Sequence, residues 1–225
     1  MPWRDWIREV EVEPSLYAAD FARLGEQIAT LARAGARIFH FDVGDGHFVP
    51  PITIGPIVAE SISPLIHRLG GRLDCHLMVD EPRRHFEAVA QAGGDSVTFH
   101  IEAVDDPAAV AREARVHGLE VGLSFKPETE PEQVAEVAEA FDLVLCMSIE
   151  PGYSGQPFMP EALGRIERLS RLLPEHVLIQ VDGGVGRENI RLVRDAGARL
   201  FVAGTSIFGR DDIARAYEEL VADLA

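Results

Sequence analysis

The sequence predicts a single-domain α/β protein, a (β/α)8 TIM barrel, on two observations. Short runs of β-branched and apolar residues alternate, from one end of the chain to the other, with longer stretches whose apolar residues fall three and four apart. Three helical stretches end just before a strand in a glycine-containing triplet, where glycine takes the left-handed conformation. The triplets are Ala-Gly-Ala at 34–36, Ala-Gly-Gly at 92–94 and Ala-Gly-Ala at 196–198. Eight strand-helix units fit a barrel with short loops, and the first turn lacks the glycines of an open doubly wound sheet.

Eight strands are predicted, each followed by a helical stretch. They cover residues 11–17, 38–43, 72–77, 95–100, 119–124, 142–147, 177–182 and 200–204. The sixth helix illustrates the pattern, because Pro160 lies near its start and the apolar residues Leu163, Ile166, Leu169 and Leu172 share one face. No low-complexity linker interrupts the series, so residues 11–225 are predicted to form the barrel, with residues 1–10 as an N-terminal extension.

Composition excludes several classes of protein. The 225 residues carry 21 basic and 37 acidic side chains, a net charge of −16, whereas nucleic-acid and anionic-membrane binders need a basic surface. The two cysteines, Cys75 and Cys146, have neither disulfide-scaffold nor C-x-x-C spacing, so we expect reduced thiols and a cytoplasmic location. We also expect no signal peptide and no membrane span, because no sufficiently long apolar run occurs.

Metal-ligand residue types follow three of the predicted strands. His40 and Asp42 lie two apart at the end of the second strand and so share a face, as do His76 and Met78 on the third, and Asp182 ends the seventh. Taken singly, a strand-end aspartate caps the next helix and a strand-end histidine is a half-buried polar residue. Together, two imidazoles and two carboxylates at the barrel mouth predict a site for zinc, manganese, iron or cobalt.

Glycine-rich loops follow the last three strands. The candidate phosphate-binding residues are Gly152, Ser154 and Gly155 after the sixth strand, Gly183 and Gly184 after the seventh, and Gly204 and Thr205 after the eighth. Backbone N–H groups without side chains in the way can surround a phosphate, and barrels commonly bind one at the last loops. The alternative is that these glycines only make tight turns.

These segments resemble a known family over nearly the whole chain. HFDVGDGHFVPPITIGP at 40–56, LDCHLMV at 73–79, MSIEPGYSGQPFMPE at 147–161, VDGGV at 181–185 and VAGTSIFG at 202–209 are similar to the signature blocks of ribulose-phosphate 3-epimerases. The resemblance implies a ribulose-phosphate-binding barrel and an isomerase of carbohydrate metabolism that converts D-ribulose 5-phosphate to D-xylulose 5-phosphate. It also implies a homo-oligomer, either a dimer or a hexamer.

The resemblance assigns roles to the strand-end residues. Asp42 and Asp182 correspond to the two acid/base groups that work on opposite faces of carbon 3, through a metal-stabilised enediolate. His40, Asp42, His76 and Asp182 correspond to the metal ligands. Met78 and Met147 would line the pocket and exclude water, although core packing explains them equally well.

Several residues depart from the family pattern. Ala18, Gly44, Lys126 and Glu150 stand where the family usually has Ser, Met, Asn and Asn. We expect Ala18 and Gly44 to reshape the pocket, and we expect Lys126 and Glu150 to form an ion pair at its rim, with two separately solvated charges as the alternative. D-Allulose 6-phosphate 3-epimerases also lack the N-terminal serine, and they also have the LDCHLMV block and the QPF triplet. D-Allulose 6-phosphate, a longer sugar phosphate, is therefore the alternative substrate.

Three other classes of protein are alternatives to the epimerase. Phosphosugar decarboxylases and synthases with a D-x-K-x-x-D motif are disfavoured, because the corresponding segment 42–45 has no lysine. A Schiff-base aldolase would depend on Lys126, the only lysine of the chain, and its position beside a proline predicts a place on the rim. A catalytically silent phosphate-binding barrel stays open, although its metal-ligand residues would then serve no purpose.

Overall fold

The computed structural model describes residues 3–225 and contains one sheet of eight parallel strands. The strands are β1 Glu11–Pro14, β2 Ile38–Gly44, β3 Arg72–Met78, β4 Ser96–His100, β5 Glu120–Phe125, β6 Leu143–Met147, β7 Leu178–Asp182 and β8 Leu200–Ala203. Each strand from β2 to β8 pairs with the next, and β8 pairs with β1. A single parallel bridge between Ser15 and His40 closes the barrel between β1 and β2. The predicted barrel is therefore confirmed.

The helices follow the strands, with one difference from the prediction. They are α1 Leu24–Arg33, α2 Pro56–Arg68, α3 Phe86–Gln91, α4 Pro107–Val116, α5 Pro131–Ala135, α6 Glu161–Leu172, α7 Ile190–Asp195, α8 Thr205–Phe208 and α9 Ile213–Asp223. The last unit thus has two helices instead of one. A second helix begins there because the Asp212 carboxylate accepts a hydrogen bond from the Arg215 N–H and caps it.

Local sequence explains most of the element ends. The glycines at 35, 93 and 197 all have positive φ, as predicted for helix ends that lead into strands. The first strand is shorter than predicted, ending at Pro14, because the chain turns into a single 3₁₀ turn at Leu16–Ala18. This turn carries Ser15 and Tyr17 over the barrel mouth, where both contribute to the cavity described below.

Alternation along each strand divides the core into two parts. On β2, Phe39, Phe41 and Val43 pack outward in the large layer between sheet and helices. Ile38 of the same strand points inward, into a smaller cluster that includes Leu143 and Leu200, the first residues of β6 and β8. Toward the carboxyl ends of β2 and β3, the inward positions hold histidine and aspartate instead.

Two tryptophans close the amino end of the barrel interior. Trp3, in a 3₁₀ turn at Trp3–Asp5, is 1% exposed and Trp6 is 6% exposed, and their ring centroids lie 4.6 Å apart. Both belong to the small inner cluster, and the Arg72 guanidinium at the start of β3 lies 5.8 Å from the centroid of the Trp6 ring. The two tryptophan side chains thus pack against the strands. Among the described residues, no helix has the length and apolar character needed to cross a membrane.

Candidate metal centre and active site

The four candidate ligands converge at the carboxyl end of the barrel. His40 and Asp42 come from β2, His76 from β3 and Asp182 from β7, and one ligand atom of each lies within 4.8 Å of the others. His76 is the direct register partner of Asp42. Because β8 and β1 lie between β7 and β2 in the sheet, the two carboxylates approach the centre from separate sides of the barrel.

Asp42 is the centre of this cluster. Its Oδ1 atom lies 3.1 Å from His76 Nδ1 and 3.2 Å from His40 Nε2, and its Oδ2 atom accepts a 2.8 Å hydrogen bond from the Ser15 hydroxyl. Ser15 is not among the predicted site residues, since the predicted first strand covers residues 11–17 and includes it. The only sequence signal for it is its place immediately before the first turn at the mouth. The hydroxyl fixes which Asp42 oxygen faces the two imidazoles.

His40 is held from behind by a second carboxylate. Its Nδ1–H donates to Asp74 Oδ2 at 2.9 Å, and Asp74 in turn accepts hydrogen bonds from Ser96 and Gln180. His40 Nε2 therefore carries the lone pair. It is buried and, within residues 3–225, makes no hydrogen bond. An unpartnered ring nitrogen beside a carboxylate oxygen is the arrangement expected of a metal ligand.

The charges of the cluster also fit a cation. Burial opposes a charge on His40, but the nearby Asp42 and then Asp74 raise its pKa well above the ordinary value. The two carboxylates therefore favour a positive charge at this point. Two imidazole nitrogens and two carboxylate oxygens form a donor set that suits borderline divalent ions, so the cluster could bind a metal.

The two catalytic candidates differ in their electrostatic surroundings. Burial and then the negative charge of Asp42 raise the pKa of Asp182 to about 6. Burial acts in the same direction on Asp42, but the charge of His40, and then the hydrogen bond and charge of His76, outweigh it and hold the pKa of Asp42 below the ordinary value. The two carboxyl groups therefore differ in their readiness to hold a proton.

A cavity of about 950 Å³ opens above the cluster. Asp42 and Asp182 line it, as do both predicted pocket methionines, Met78 and Met147. All the candidate phosphate-binding residues line it too, namely Gly152, Ser154, Gly155, Gly183, Gly184, Gly204 and Thr205. So does Ser206, a residue outside the predicted set, whose buried hydroxyl has no hydrogen-bond partner among the described residues.

Gly184 shows why one of these loops requires glycine. Its φ is +63°, and a Cβ atom at this position would lie 2.4 Å from the backbone nitrogen of Phe158. The loop after β7 therefore packs directly on the backbone of the loop after β6. This contact brings two of the three glycine-rich loops together on one wall of the cavity.

Two departures from the family pattern lie in different environments. Ala18 adjoins the phosphate-loop residues, since a Cβ added to Gly204 would lie 3.3 Å from Ala18 Cβ and 3.2 Å from Ser154 Oγ. Gly44 does not line the cavity: a side chain there would meet the Pro51 carbonyl and the Val49 side chain at 2.9 Å. The following loop fills the space that the missing side chain leaves.

The expected ion pair between Lys126 and Glu150 is absent among residues 3–225. The backbone N–H of Lys126 donates to Glu102 Oε1 at 2.8 Å, and the Lys126 ammonium lies 4.2 Å from the centroid of the Phe48 ring. Glu150 is exposed, and its carbonyl accepts a 2.7 Å hydrogen bond from the Gln156 amide. Lys126 thus meets a ring of the β2–α2 loop, which the prediction from strand ends alone did not consider.

A buried polar chain extends from the other side of His76. His76 Nε2 lies 2.9 Å from His100 Nε2, and His100 Nδ1 lies 3.2 Å from Glu102 Oε2. Burial lowers the pKa of His100 to about 4. The pKa of Glu102 is about 2, because the hydrogen bond and charge of His100 outweigh the effect of burial. Neither residue is among the predicted site residues, although the spacing of two between His100 and Glu102 at the end of β4 is a signal for them.

Sequence comparison identifies close relatives. A model of the ribulose-phosphate 3 epimerase family matches residues 11–208. Ribulose-phosphate 3-epimerase of Mycobacterium tuberculosis is 42% identical over 212 residues, which cover 93% of this chain and 90% of the relative. The Bacillus subtilis ribulose-phosphate 3-epimerase is 39% identical over 215 residues, covering 94% of this chain and 98% of the relative.

Structure comparison gives more distant neighbours that share the fold. KGPDC from Streptococcus mutans has a TM-score of 0.72 at 13% identity, covering 96% of this chain and 98% of that one. A 3-hexulose-6-phosphate synthase has a TM-score of 0.70 at 22% identity, covering 97% of this chain and 100% of the other. At this identity the likeness extends to the barrel fold alone.

Proposed function

This chain belongs to the ribulose-phosphate 3-epimerase family, a family of isomerases, and on that premise we propose that it epimerises carbon 3 of D-ribulose 5-phosphate to give D-xylulose 5-phosphate. One observation carries the proposal beyond the family: four ligand atoms from three strands lie within 4.8 Å of one another beneath a cavity lined by glycine-rich loops. A phosphosugar substrate fits that combination of a metal-ligand cluster and backbone-rich loops.

His40, Asp42, His76 and Asp182 would hold a divalent ion, for which zinc, manganese, iron and cobalt are the candidates. When bound, the cation supplies Lewis-acid stabilisation for the negative charge that develops on the substrate oxygens. The unpartnered Nε2 atom of His40 supports this assignment, as do the neighbouring carboxylates, whose negative charge favours a cation at this point. Asp74 orients His40, and Ser15 orients Asp42.

Asp42 and Asp182 would perform the proton transfers. Inversion requires one carboxylate to take the proton of carbon 3 from one face and one carboxylic acid to return a proton to the other. Their strands are separated by two others in the barrel, which supports an approach from opposite faces. Two neighbouring carboxyl groups whose pKa values are pushed apart are typical of an acid and base pair.

The rest of the cavity would bind and enclose the sugar phosphate. Met78 and Met147 add apolar walls at the reacting carbon and exclude water, which strengthens electrostatic interactions there. Gly152, Ser154, Gly155, Gly183, Gly184, Gly204 and Thr205 would surround the phosphate with backbone N–H groups.

D-Allulose 6-phosphate is the alternative substrate. The cavity of about 950 Å³ lies near the upper end of the range for small-molecule sites, which leaves room for a longer sugar. Ala18 lies beside the cavity-lining residues Gly204 and Ser154, although it does not itself line the cavity, and it carries no hydroxyl. Both substrates would use the same metal ligands and the same two aspartates.

Solvent deuterium incorporation tests the reaction directly. The purified protein is incubated in D₂O with a panel of pentulose and hexulose phosphates, and label at carbon 3 is followed by NMR. We expect label at carbon 3 of ribulose 5-phosphate, with turnover to xylulose 5-phosphate. Faster exchange with allulose 6-phosphate would assign the longer sugar. No exchange with any sugar, in protein shown to be folded and metal-loaded, would favour the silent phosphate-binding barrel.

The assembly and location complete the proposal. A homo-oligomer, dimer or hexamer, in the cytoplasm remains our expectation from the family resemblance. Light scattering coupled to size-exclusion chromatography distinguishes these states from a monomer.

A further inference from the structure

The charged side chains on the cavity wall do not favour an anionic substrate as a set. Among the described residues, five carboxyl groups line the cavity, against three guanidinium groups, those of Arg187, Arg210 and Arg215. The whole chain carries a net charge of −16. A phosphate monoester has a charge of about −1.5 to −2 at neutral pH, so an acidic surface opposes its approach unless the cavity supplies positive charge locally.

Neither the glycine-rich loops nor the proposed metal ion supplies a net positive charge for the phosphate. The loops offer backbone N–H dipoles, which carry partial charges only. A divalent ion held by Asp42 and Asp182 has its two positive charges balanced by the two carboxylates. The remaining source of a full positive charge on the cavity wall is arginine.

Two of the three cavity arginines are already neutralised. Arg187 contacts Asp223 at 2.7 Å through Nε and Glu219 at 2.9 Å through Nη1. Arg215 contacts the other oxygen of the Glu219 carboxylate at 3.0 Å. Both guanidinium groups are therefore paired with carboxylates of α9 and add little net charge to the cavity.

The third arginine, Arg210, has no such partner. Its side chain makes no hydrogen bond and no ion pair with any residue in the range 3–225. The nearby Asp212 carboxylate is engaged elsewhere, because it accepts a 3.0 Å hydrogen bond from the Arg215 N–H. Arg210 is exposed, so its charge is retained without a cost of burial. One guanidinium charge on the cavity wall is thus left uncompensated.

The backbone places Arg210 next to the glycine-rich loop that follows β8. The short helix α8 begins at Thr205, one of the candidate phosphate-binding residues, and the Gly209 N–H donates to the Thr205 carbonyl at 3.0 Å. The Arg210 N–H donates to the Ile207 carbonyl at 3.2 Å, which fixes the Arg210 backbone at the end of the same turn. Thr205 and Arg210 line one cavity, little more than one helical turn apart.

We propose that Arg210 is a substrate-binding residue that supplies the full positive charge at the phosphate end of the cavity and makes the site select phosphorylated sugars. The role in epimerisation rests on the proposed function, whereas binding of a phosphate group is measurable without turnover. A guanidinium suits this role, because its planar N–H groups can donate to two phosphate oxygens at once.

The test compares three variants of the full chain. Arg210→Ala removes the charge, and Arg210→Lys keeps the charge but loses the paired hydrogen bonds. Arg171→Ala is the matched control and changes the net charge by the same amount as R210A. Arg171 is an exposed arginine on α6 that does not line the cavity and has no ion pair in the described part of the chain.

Calorimetric titration with inorganic phosphate at two salt concentrations measures affinity, and steady-state kinetics with D-ribulose 5-phosphate separate KM from kcat. We expect R210A to weaken phosphate binding and to raise KM, each about 10-fold, with kcat near wild type. R210K should lie between R210A and wild type, and R171A should match wild type. Added salt should weaken phosphate binding more in wild type than in R210A, because screening acts on the charge that the variant lacks.

Unchanged phosphate affinity and KM in R210A would overturn the proposal. An equal loss in R171A would also overturn it, because the effect would then belong to the net charge of the protein. A fall in kcat alone would likewise remove Arg210 from substrate binding. If wild type epimerises no sugar phosphate but R210A still weakens phosphate binding, the proposed function fails and the role of Arg210 in phosphate binding stands.

Discussion

The two ends of the barrel interior are built on different principles. At the amino end, Trp3 and Trp6 pack on Ile38 and Leu200, and the interior is apolar. At the carboxyl end, histidines and aspartates lie within a few ångströms of one another, and the His40 Nε2 atom is buried without a hydrogen bond in the described part of the chain. One end is filled by apolar packing, whereas the other gathers carboxyl groups that repel each other, an arrangement that a bound cation would relieve. Substitutions at the two ends should therefore separate stability from activity.

Asp182→Asn should give the largest effect on activity. Removing a general acid/base group costs about 10²–10⁴-fold in kcat, and the loss of a metal ligand adds to this. The melting temperature of the metal-free variant should rise, because burial and the charge of Asp42 both oppose a charge on Asp182 when no cation is present. Melting of metal-free protein and steady-state kinetics measure both effects, and inorganic phosphate should still bind.

This result has a clear contrary outcome. Near-wild-type turnover by D182N would remove Asp182 from the mechanism. A lower melting temperature in the metal-free variant would mean that the carboxyl end stabilises the fold in the same way as the amino end.

Chelation should affect the carboxyl end alone. A chelator should abolish epimerisation, and adding back a divalent ion should restore it. Because a ligand that binds only the folded state at 100 times its Kd adds about 2.7 kcal/mol, the metal-free protein should melt at a lower temperature. Elemental analysis of the purified protein should find one divalent ion per chain, and a folded, active protein without bound metal would refute the proposed centre.

Trp6→Ala should affect the amino end alone. Truncating a buried tryptophan costs about 3–5 kcal/mol of unfolding free energy, here measured by urea denaturation. Co²⁺ affinity and kcat of the folded protein should remain near wild type, since Trp6 lies at the other end of the interior. Val116→Ala, at a position 84% exposed on α4, serves as the control and should leave the unfolding free energy nearly unchanged. A large loss of metal affinity in W6A would show that the two ends are coupled.

Two glycine substitutions should give the smallest effects, with opposite signs. Gly184→Ala places a side chain at positive φ, which costs about 1–3 kcal/mol in addition to its contact with Phe158, so we expect a raised KM and unchanged metal content. Gly164 lies within α6, and a Cβ there meets nothing within 4 Å. Gly164→Ala should therefore stabilise the protein by about 0.5–1 kcal/mol with unchanged kinetics. Equal KM values in the two variants would show that Gly184 does not contribute to substrate binding.

The sequence predicts best those features that depend on periodicity. Strand positions follow from runs of apolar residues, and the spacing of two between His40 and Asp42 places both on one face of β2. Because parallel strands end at the same edge, the convergence of these residues with Asp182 follows from the fold class. The prediction of one final helix was wrong, since the cap at Asp212 begins a second one.

Features that depend on side-chain direction were not predictable in this way. The hydrogen bond from Ser15 to Asp42 joins the chain just after β1 to β2. The hydrogen bonds from Glu102 through His100 to His76 join the end of β4 to β3. Lys126 lies over Phe48 instead of reaching Glu150, because the β2–α2 loop occupies the space between strand ends. Loop packing and rotamers decide these contacts, and neither has a sequence period.

The seam between β1 and β2 has a mechanical consequence. Its single backbone bridge joins Ser15 to His40, and the Ser15 hydroxyl reaches across the same gap to Asp42. A cation bound by Asp42 of β2 and Asp182 of β7 would span this seam, because β8 and β1 lie between those two strands. Opening of the seam and release of the ion would therefore be thermodynamically linked. Hydrogen exchange at the amides of residues 15 and 40 would then report how much of the protein holds the cation.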